Sequence, residues 1–369
     1  MCIIIKNHSD GEPSMHAIEK QKSPVNAIFD MVLGTHTTNF WLQKINPLWS
    51  VQQALGKIVE KEQSAADTIS LTIKINRLFK MGLAGQHHPI TVEINGRRYE
   101  RTYSLTQLDT QHVLLTAKKV EKGIVSNWLF EHAQVGEVIE FGRPYGDMLL
   151  PQVVSPLILV AAGSGITPMY SLIQALAANQ QLDRQPVHLM YWVKKNADVA
   201  FKQQFEQLAQ QYPDFKFDVF YTQEVPADAR LNNEYLHIIK NLEQSTVYVC
   251  GPSGFVATAE QLFEQAKVLK SEAFSLSPVI SDDTGFINVT LTKSNKVVAI
   301  PKGQAILVGL EQQNIKPEHG CRMGICNKCA CNKAQGATKN LVNGQENFEP
   351  NNLLRICVNT AKTDLVIDL

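Results

Sequence analysis

The sequence predicts a multidomain chain: an antiparallel β-barrel, an α/β unit built on a parallel sheet, and a small cysteine-bearing unit, all behind an N-terminal arm. Three observations predict it. Short alternating runs separated by turn residues fill positions 49 to 150 or so; after Pro156 wholly apolar strands alternate with amphipathic helices; and Cys321, Cys326, Cys329 and Cys357 follow the spacing C-x4-C-x2-C with a distant fourth. A chain of 369 residues, 44% hydrophobic, is long enough to give each unit its own core. The expected boundaries are 1–48 for the arm, 49–152 for the barrel, 153–270 for the α/β unit, 271–284 for a linker and 285–369 for the cysteine-bearing unit.

The arm has a polar start followed by Phe29, Met31, Val32, Leu33, Phe40, Trp41 and Leu42, a pattern expected to form a helical segment packed on the main body. Barrel strands are expected at 68–75, 89–94, 99–105 and 111–117. Asn95-Gly96, between the second and third, is the strongest hairpin signal a short sequence carries, because both residues accept the positive φ of a tight turn. Several such strands at close spacing suggest a small barrel. Lys122-Gly123-Ile124-Val125-Ser126-Asn127 reads as the entry to a helix, where unpaired amides form an anion site. Positions 157–162 are apolar on both faces, as a doubly covered strand must be, and lead through a glycine turn into a helix carrying Leu172 and Leu176. Strands at 187–192 and 246–250 and a helix over 201–212 continue the alternation, so a parallel sheet is expected with its ligand site at the strands' carboxyl ends. The last unit opens with a hairpin of 286–291 and 296–300.

Composition narrows the partners. Thirty-five basic residues balance thirty-five acidic ones, so overall charge gives no argument for nucleic acid or membrane binding, and no nucleic acid partner is expected. Residues 285–369 carry ten Lys and Arg against six Asp and Glu, a local excess of +4 (ten minus six). An odd count of seven cysteines, four of them in one motif, argues against a disulfide framework and for a reducing compartment, the cytoplasm. The first ten residues lack the features of a secretory signal. No apolar run approaches the roughly 20 residues that span a bilayer, so no transmembrane segment is expected, while peripheral contact with the inner membrane face stays compatible with the sequence.

The cysteine spacing is the plant-type pattern of a 2Fe-2S cluster, and four soft anionic ligands suit iron and sulfide. A structural zinc site is the plainer alternative, but such sites usually show two close CxxC pairs, or one with two histidines, and here only one close pair exists. Cys331 falls outside the pattern and is expected to pack beside the loop. Arg101-Thr102-Tyr103-Ser104 puts a phosphate-binding guanidinium, a phenol that can cover a ring and a hydroxyl on one strand. Gly163-Ser164-Gly165-Ile166-Thr167-Pro168 follows a buried strand and opens a helix, the context of a dinucleotide phosphate site, though it is not the G-x-G-x-x-G fingerprint.

In order and interval, Arg101-x-Tyr103-Ser104, Gly123-x-x-Ser126, the Gly163–Pro168 turn and Cys250-Gly251-Pro252 resemble the ferredoxin–NADP reductase superfamily, and the C-terminal cluster motif resembles its fused three-domain oxygenase reductases. Asn46-Pro47-Leu48-Trp49-Ser50, Ala84-Gly85-Gln86 and Arg101 to Leu105 look most like the reductases of membrane acyl-CoA desaturases. The resemblance implies a flavin barrel, an NAD(P) domain and a β-grasp ferredoxin domain. It implies that Arg101, Tyr103, Ser104, Gly123 and Ser126 bind the flavin, FAD in the first instance and FMN as the alternative. Gly163, Gly165, Thr167 and Pro168 then approach the dinucleotide, Cys250 and Gly251 lie where the nicotinamide docks, and Ser104 and Cys250 are the residues nearest the chemistry. Electrons pass from NAD(P)H through flavin and cluster to an iron oxygenase or desaturase; the alternatives are a reductase of small acceptors or hybrid-cluster proteins, and a redox sensor without enzymatic turnover. Lys194 and Lys195, with no acidic residue at that strand end, favour NADPH over NADH. Arg322, Lys328 and Lys333 around the cysteine loop lead us to expect an acceptor with an acidic face.

Overall fold

The computed structural model describes residues 35–121, 123–224, 229–275, 285–342 and 344–369. It divides into two compact units, one ending at Val51 and the other running from Gln52 to Leu369. In the first, helix α1 (Thr35–Ile45) is followed by a turn in which Asn46 Oδ1 accepts from the Leu48 amide at 2.9 Å, and Asn39 Oδ1 accepts from the Val51 amide at 2.9 Å. Phe29, Met31, Val32 and Leu33 lie outside the described residues.

The second unit opens with a closed barrel of β1 (Ala54–Ala65), β2 (Thr68–Ile75), β3 (His87–Ile94), β4 (Arg97–Gln107), β5 (His112–Lys118) and β6 (Val138–Phe141), in the order β1-β2-β5-β4-β3-β6. Helix α2 (Ile124–Glu131) lies between β5 and β6 in the chain. Asn95 and Gly96 take φ of 52° and 72° and close the β3–β4 hairpin with Ile94 opposite Arg97, as their chemistry demands. Alternation then sends Ile58, Leu71, Ile73, Ile90, Leu105 and Leu115 inward, where all are fully buried. β1 and β6 escape the sequence reading for local reasons: β1 is charge-rich and shifts register twice, and β6 has four residues.

The α/β layer contains β7 (Leu157–Ala162), α3 (Ile166–Ala178), β8 (Val187–Val193), α4 (Lys202–Gln211), β9 (Phe215–Tyr221), β10 (Thr246–Pro252), α5 (Ser253–Leu262) and β11 (Val268–Ser275). The sheet is parallel throughout in the order β11-β10-β7-β8-β9. Because successive strand side chains point to opposite faces, Leu157, Leu159 and Ala161 join one core and Ile158, Val160 and Ala162 another. Chain order reverses between β7 and β10, which opens a crevice at their carboxyl ends. β11 extends to Ser275, so the first residues of the expected linker are sheet; their polar Lys270-Ser271-Glu272 stretch suits an edge strand. Ser171 on α3 donates to the Leu105 carbonyl on β4 at 2.9 Å and ties this layer to the barrel.

The last layer is a mixed sheet of β12 (Phe286–Leu291), β13 (Lys296–Pro301), β14 (Ala330–Gln335), β17 (Asn352–Arg355) and β19 (Leu365–Ile367), ordered β13-β12-β19-β14-β17 with β12 and β19 parallel. Helix α6 (Ile306–Gln312) shares its core through Ile306, Leu307 and Leu310. A smaller sheet of β15 (Thr338–Asn340), β16 (Glu346–Asn347) and β18 (Asn359–Ala361) flanks it. This is the expected β-grasp, with the cysteine loop between α6 and β14. Among the described residues no helix is long and apolar enough to cross a membrane.

Candidate functional site

Two cavities meet where the layers join. The first, of about 600 Å³, is lined by Arg101, Tyr103 and Ser104 of β4, by Gly123 and Ser126 at the start of α2, by Thr167 of α3, and on its far side by Glu311, Cys321, Arg322 and Met323 of the cysteine-bearing layer. The second, of about 740 Å³, lies over the sheet's carboxyl edge and is lined by Gly163, Ser164, Trp192, Lys194, Asp198, Thr222, Arg230, Pro252 and Phe255. Lys118, Val120, Ser164 and Phe274 line both. The cavities therefore adjoin, and the first also touches a cysteine of the loop.

The first cavity suits an anionic, aromatic occupant. Burial, and then the neighbouring Arg322 guanidinium, pull the Arg101 pKa below its ordinary value. Two close cations are relieved by an anion between them. Burial holds the Tyr103 phenol protonated. Gly123 sits where a Cβ would lie 2.3 Å from Ser126 Oγ, so the helix start stays open only with glycine there.

Ser104 heads a buried chain that the sequence did not reveal. Its Oγ is 2.9 Å from His87 Nδ1, and His87 Nε2 meets Glu272 Oε2 in a short contact. All three side chains are buried. In the tautomer with its proton on Nε2, the ring donates to the Glu272 carboxylate and Nδ1 accepts from the Ser104 hydroxyl. β3, β4 and β11 supply one residue each, from two layers, so no local spacing betrays the set. Glu272 lies opposite Cys250 in the β10–β11 register, within the segment read as linker.

The nucleotide-side residues divide into two groups. Gly163 and Thr167 reach the cavities; Gly165, Pro168, Cys250 and Gly251 form the buried floor beneath them. A Cβ on Gly165 would lie 2.0 Å from the Cys250 carbonyl, so the turn rests directly on β10. The Cys250 thiol is fully buried, and burial together with the Glu272 charge raises its pKa well above the ordinary value. It is a neutral packing group at the chemistry's edge rather than a lining one. Lys194 lines the second cavity and Lys195 does not; no acid stands at the end of β8, but Asp198, from the turn beyond it, lines the same cavity.

The cysteine loop has the donor set a cluster needs. Cys321, Cys329 and Cys357 are buried and Cys326 is partly exposed. The amides of Met323, Ile325 and Cys326 point at Cys321 Sγ from 3.3, 3.4 and 3.4 Å, and the Cys321 amide at Cys326 Sγ from 3.3 Å. Positive φ at Arg322, Gly324 and Asn327 turns those amides inward. The thiols interact as two pairs, Cys321 with Cys326 and Cys329 with Cys357, and the hydrogen bond within each pair lowers the pKa of Cys321 and of Cys329. Two pairs suit a two-iron cluster, and backbone donors to sulfur stabilise its charge. Cys331 packs beside Cys329 with its pKa raised by burial to about 12, as an inert thiol.

The expected basic face for an acceptor is not there. Arg322 faces the first cavity and pairs with Glu311; Lys328 binds Glu100 of β4 at 2.6 and 2.7 Å; Lys333 is buried, donating to Asn347 O and Oδ1 at 2.8 and 2.6 Å. Each cation is engaged within the chain, which local sequence cannot show.

Comparison with known proteins agrees with this architecture. An oxidoreductase FAD-binding domain model matches residues 55–149, an oxidoreductase NAD-binding domain model 159–261, and a 2Fe-2S iron-sulfur cluster binding domain model 289–362. An NADPH oxidoreductase of Mycobacterium tuberculosis is 28% identical over 98% of this chain and 94% of its own. The ferredoxin reductase component of 3-ketosteroid-9-alpha-monooxygenase from the same species is 28% identical over 66% of this chain and 72% of its own. Phthalate dioxygenase reductase, a solved modular structure for electron transfer from pyridine nucleotides to 2Fe-2S, shares the fold with a TM-score of 0.63 at 24% identity, over 86% of this chain and 98% of that one. Three domain models in this succession, on a barrel, parallel sheet and β-grasp that meet around adjoining cavities, give the chain the FAD-binding, NAD-binding and 2Fe-2S arrangement of ferredoxin–NADP reductase-like oxidoreductases.

Proposed function

We propose that this chain is an NADPH-dependent reductase that delivers single electrons to an iron oxygenase. One observation carries the reading: the two cavities share four lining residues, and the flavin-side cavity has a cluster cysteine, Cys321, in its wall. Donor, flavin and cluster would then lie in series. A bound flavin supplies the two-to-one electron conversion between a hydride donor and a one-electron cluster.

The chain's own groups hold and align. Arg101 and the α2 amides would take the flavin phosphate, Tyr103 would cover the ring, and Phe274 lines the junction of both cavities, where flavin and nicotinamide would meet. A bound flavin would release a proton as its electrons depart, and the Ser104 hydroxyl would relay it to His87 Nδ1, with the Glu272 carboxylate balancing the charge on the ring. Lys194 and Arg230 line the nucleotide cavity and support a 2′-phosphate, hence NADPH; Asp198 in the same wall is the group that would instead favour NADH.

The monooxygenase component named among the relatives supports an oxygenase as acceptor. A membrane acyl-CoA desaturase is the second reading, favoured by the Asn46–Ser50 stretch; in α1 and the turn after it, Phe40, Trp41, Ile45 and Trp49 are exposed. We place the reductase in the cytoplasm, at the membrane's inner face under the desaturase reading. Anaerobic titration of the holoprotein with NADPH and then NADH tests the path. Flavin and cluster bands are expected to bleach together, with the lower apparent Kd for NADPH; bleaching of flavin alone would break the series.

A further inference from the structure

The cysteine loop is pressed against β4. Lys328 binds Glu100 at 2.6 and 2.7 Å, and a Cβ on Gly320 would lie 2.8 Å from Glu100 Oε1, so the loop meets this strand just before Cys321. Arg101 follows Glu100 in the strand, and its Nη1 donates to the Glu100 carbonyl at 2.7 Å. Arg322 follows Cys321 in the loop. The two arginines line the same cavity, one from the barrel and one from the cysteine-bearing layer.

Arg322 is anchored but only partly used. Its Nη2 reaches Glu311 of α6 in a short contact and lies 3.0 Å from His319 Nε2, while His319 Nδ1 is 3.0 Å from the Pro317 carbonyl. With the ring proton on Nδ1 and donated to Pro317, Nε2 accepts from the arginine. Both contacts of Arg322 use Nη2. Nε is buried with no hydrogen-bond partner, Nη1 has none among the described residues, and the side chain, 32% exposed, opens on the cavity. The backbone here has φ of 58°, which glycine or asparagine adopts at less cost, so an arginine is not what the turn itself selects. Among the described residues that line the cavity, Arg101, Lys118 and Arg322 are cationic and Glu311 is acidic, which leaves the wall net positive.

We propose that Arg322 is a flavin-binding residue supplied by the cysteine-bearing layer: anchored through Nη2, its guanidinium donates from Nη1 to the flavin phosphate that Arg101 would hold from the barrel side. The flavin would then be gripped by two layers, and the loop that carries Cys321 would complete the cofactor site as well as the ligand set. An arginine serves because a charge-assisted hydrogen bond to phosphate can be made by one nitrogen of its planar group while another keeps the anchor. The inference rests on the flavin reading of this cavity.

The test is flavin binding by full-length protein stripped of flavin with its cluster retained, for wild type, Arg322→Gln and Arg322→Lys. FAD and riboflavin, which lacks the phosphate, are titrated in, with bound flavin read from fluorescence quenching and the cluster from EPR of the reduced protein. Arg322→Gln is expected to raise the Kd for FAD about tenfold and Arg322→Lys about threefold, the charge being kept and the planar group lost. The Kd for riboflavin and the cluster signal should stay at wild-type values. An unchanged Kd for FAD in Arg322→Gln would overturn the proposal. So would an equal loss for riboflavin, which would show that Arg322 only holds the loop in place. Wild-type protein that takes up neither flavin would refute the flavin reading itself, a result distinct from both.

Discussion

At the scale of single residues, the informative groups are buried polar ones. Ser104 is legible as a motif member; His87 and Glu272 are not, because the contact that defines them joins positions 185 residues apart. Ser104→Ala breaks the chain at the cavity end, and stopped-flow measurement should find electron transfer from reduced flavin to the cluster slowed about 10²-fold with flavin content unchanged. Next to His87, His88 is fully buried and its pKa is lowered from 6.5 to about 4 by burial, partly offset by the Lys80 backbone and reinforced by His87. The unfolded chain takes up this proton first, so the stabilisation is complete above pH 6.5 and is lost as pH falls towards 4, by roughly 3 kcal/mol. Thermal unfolding across that window should show the slope, and His88→Gln should flatten it.

At the scale of elements, the turn from β7 into α3 decides how closely the nucleotide approaches the sheet. Gly163 and Gly165 look equivalent in the sequence but meet different constraints. Gly163 has φ of 54° and open space around its missing Cβ, so Gly163→Ala should cost about 1 kcal/mol through backbone strain alone. Gly165 has ordinary dihedrals, but a Cβ there would lie 2.0 Å from the Cys250 carbonyl. Gly165→Ala should cost about 2 kcal/mol or more and lift the turn from β10. A lower Tm together with a raised KM for NADPH would confirm it; a raised KM without loss of Tm would not fit.

At the scale of the whole molecule, the position of the cysteine loop against the barrel governs electron flow. The Glu100–Lys328 pair spans that junction, with Lys328 47% exposed, so it adds well under about 1 kcal/mol to stability. Its expected role is orientation. Glu100→Lys or Lys328→Glu should each slow cluster reduction about threefold while leaving flavin reduction by NADPH unchanged, and the combined swap should recover most of the rate, the signature of a coupled pair. Rapid-freeze EPR of the cluster beside flavin absorbance separates the two steps.

The sequence by itself determined the three layers, their order and the classes of cofactor. Strand alternation, the Asn95-Gly96 turn, the apolar β7 and the cysteine spacing are local patterns set by backbone geometry and ligand chemistry, and the structure brings Arg101, Tyr103, Ser104, Gly123, Ser126 and Thr167 to one cavity. Tertiary structure alone decided the rest: that Cys250 lies beneath the site, that β11 carries Glu272 to His87 and Phe274 into the cavities, and that Arg322, Lys328 and Lys333 are engaged inside the chain. Each of these depends on which groups from distant segments meet and on how water is excluded between them. Pairing and burial arise only when the layers close, and no local window of the sequence contains them.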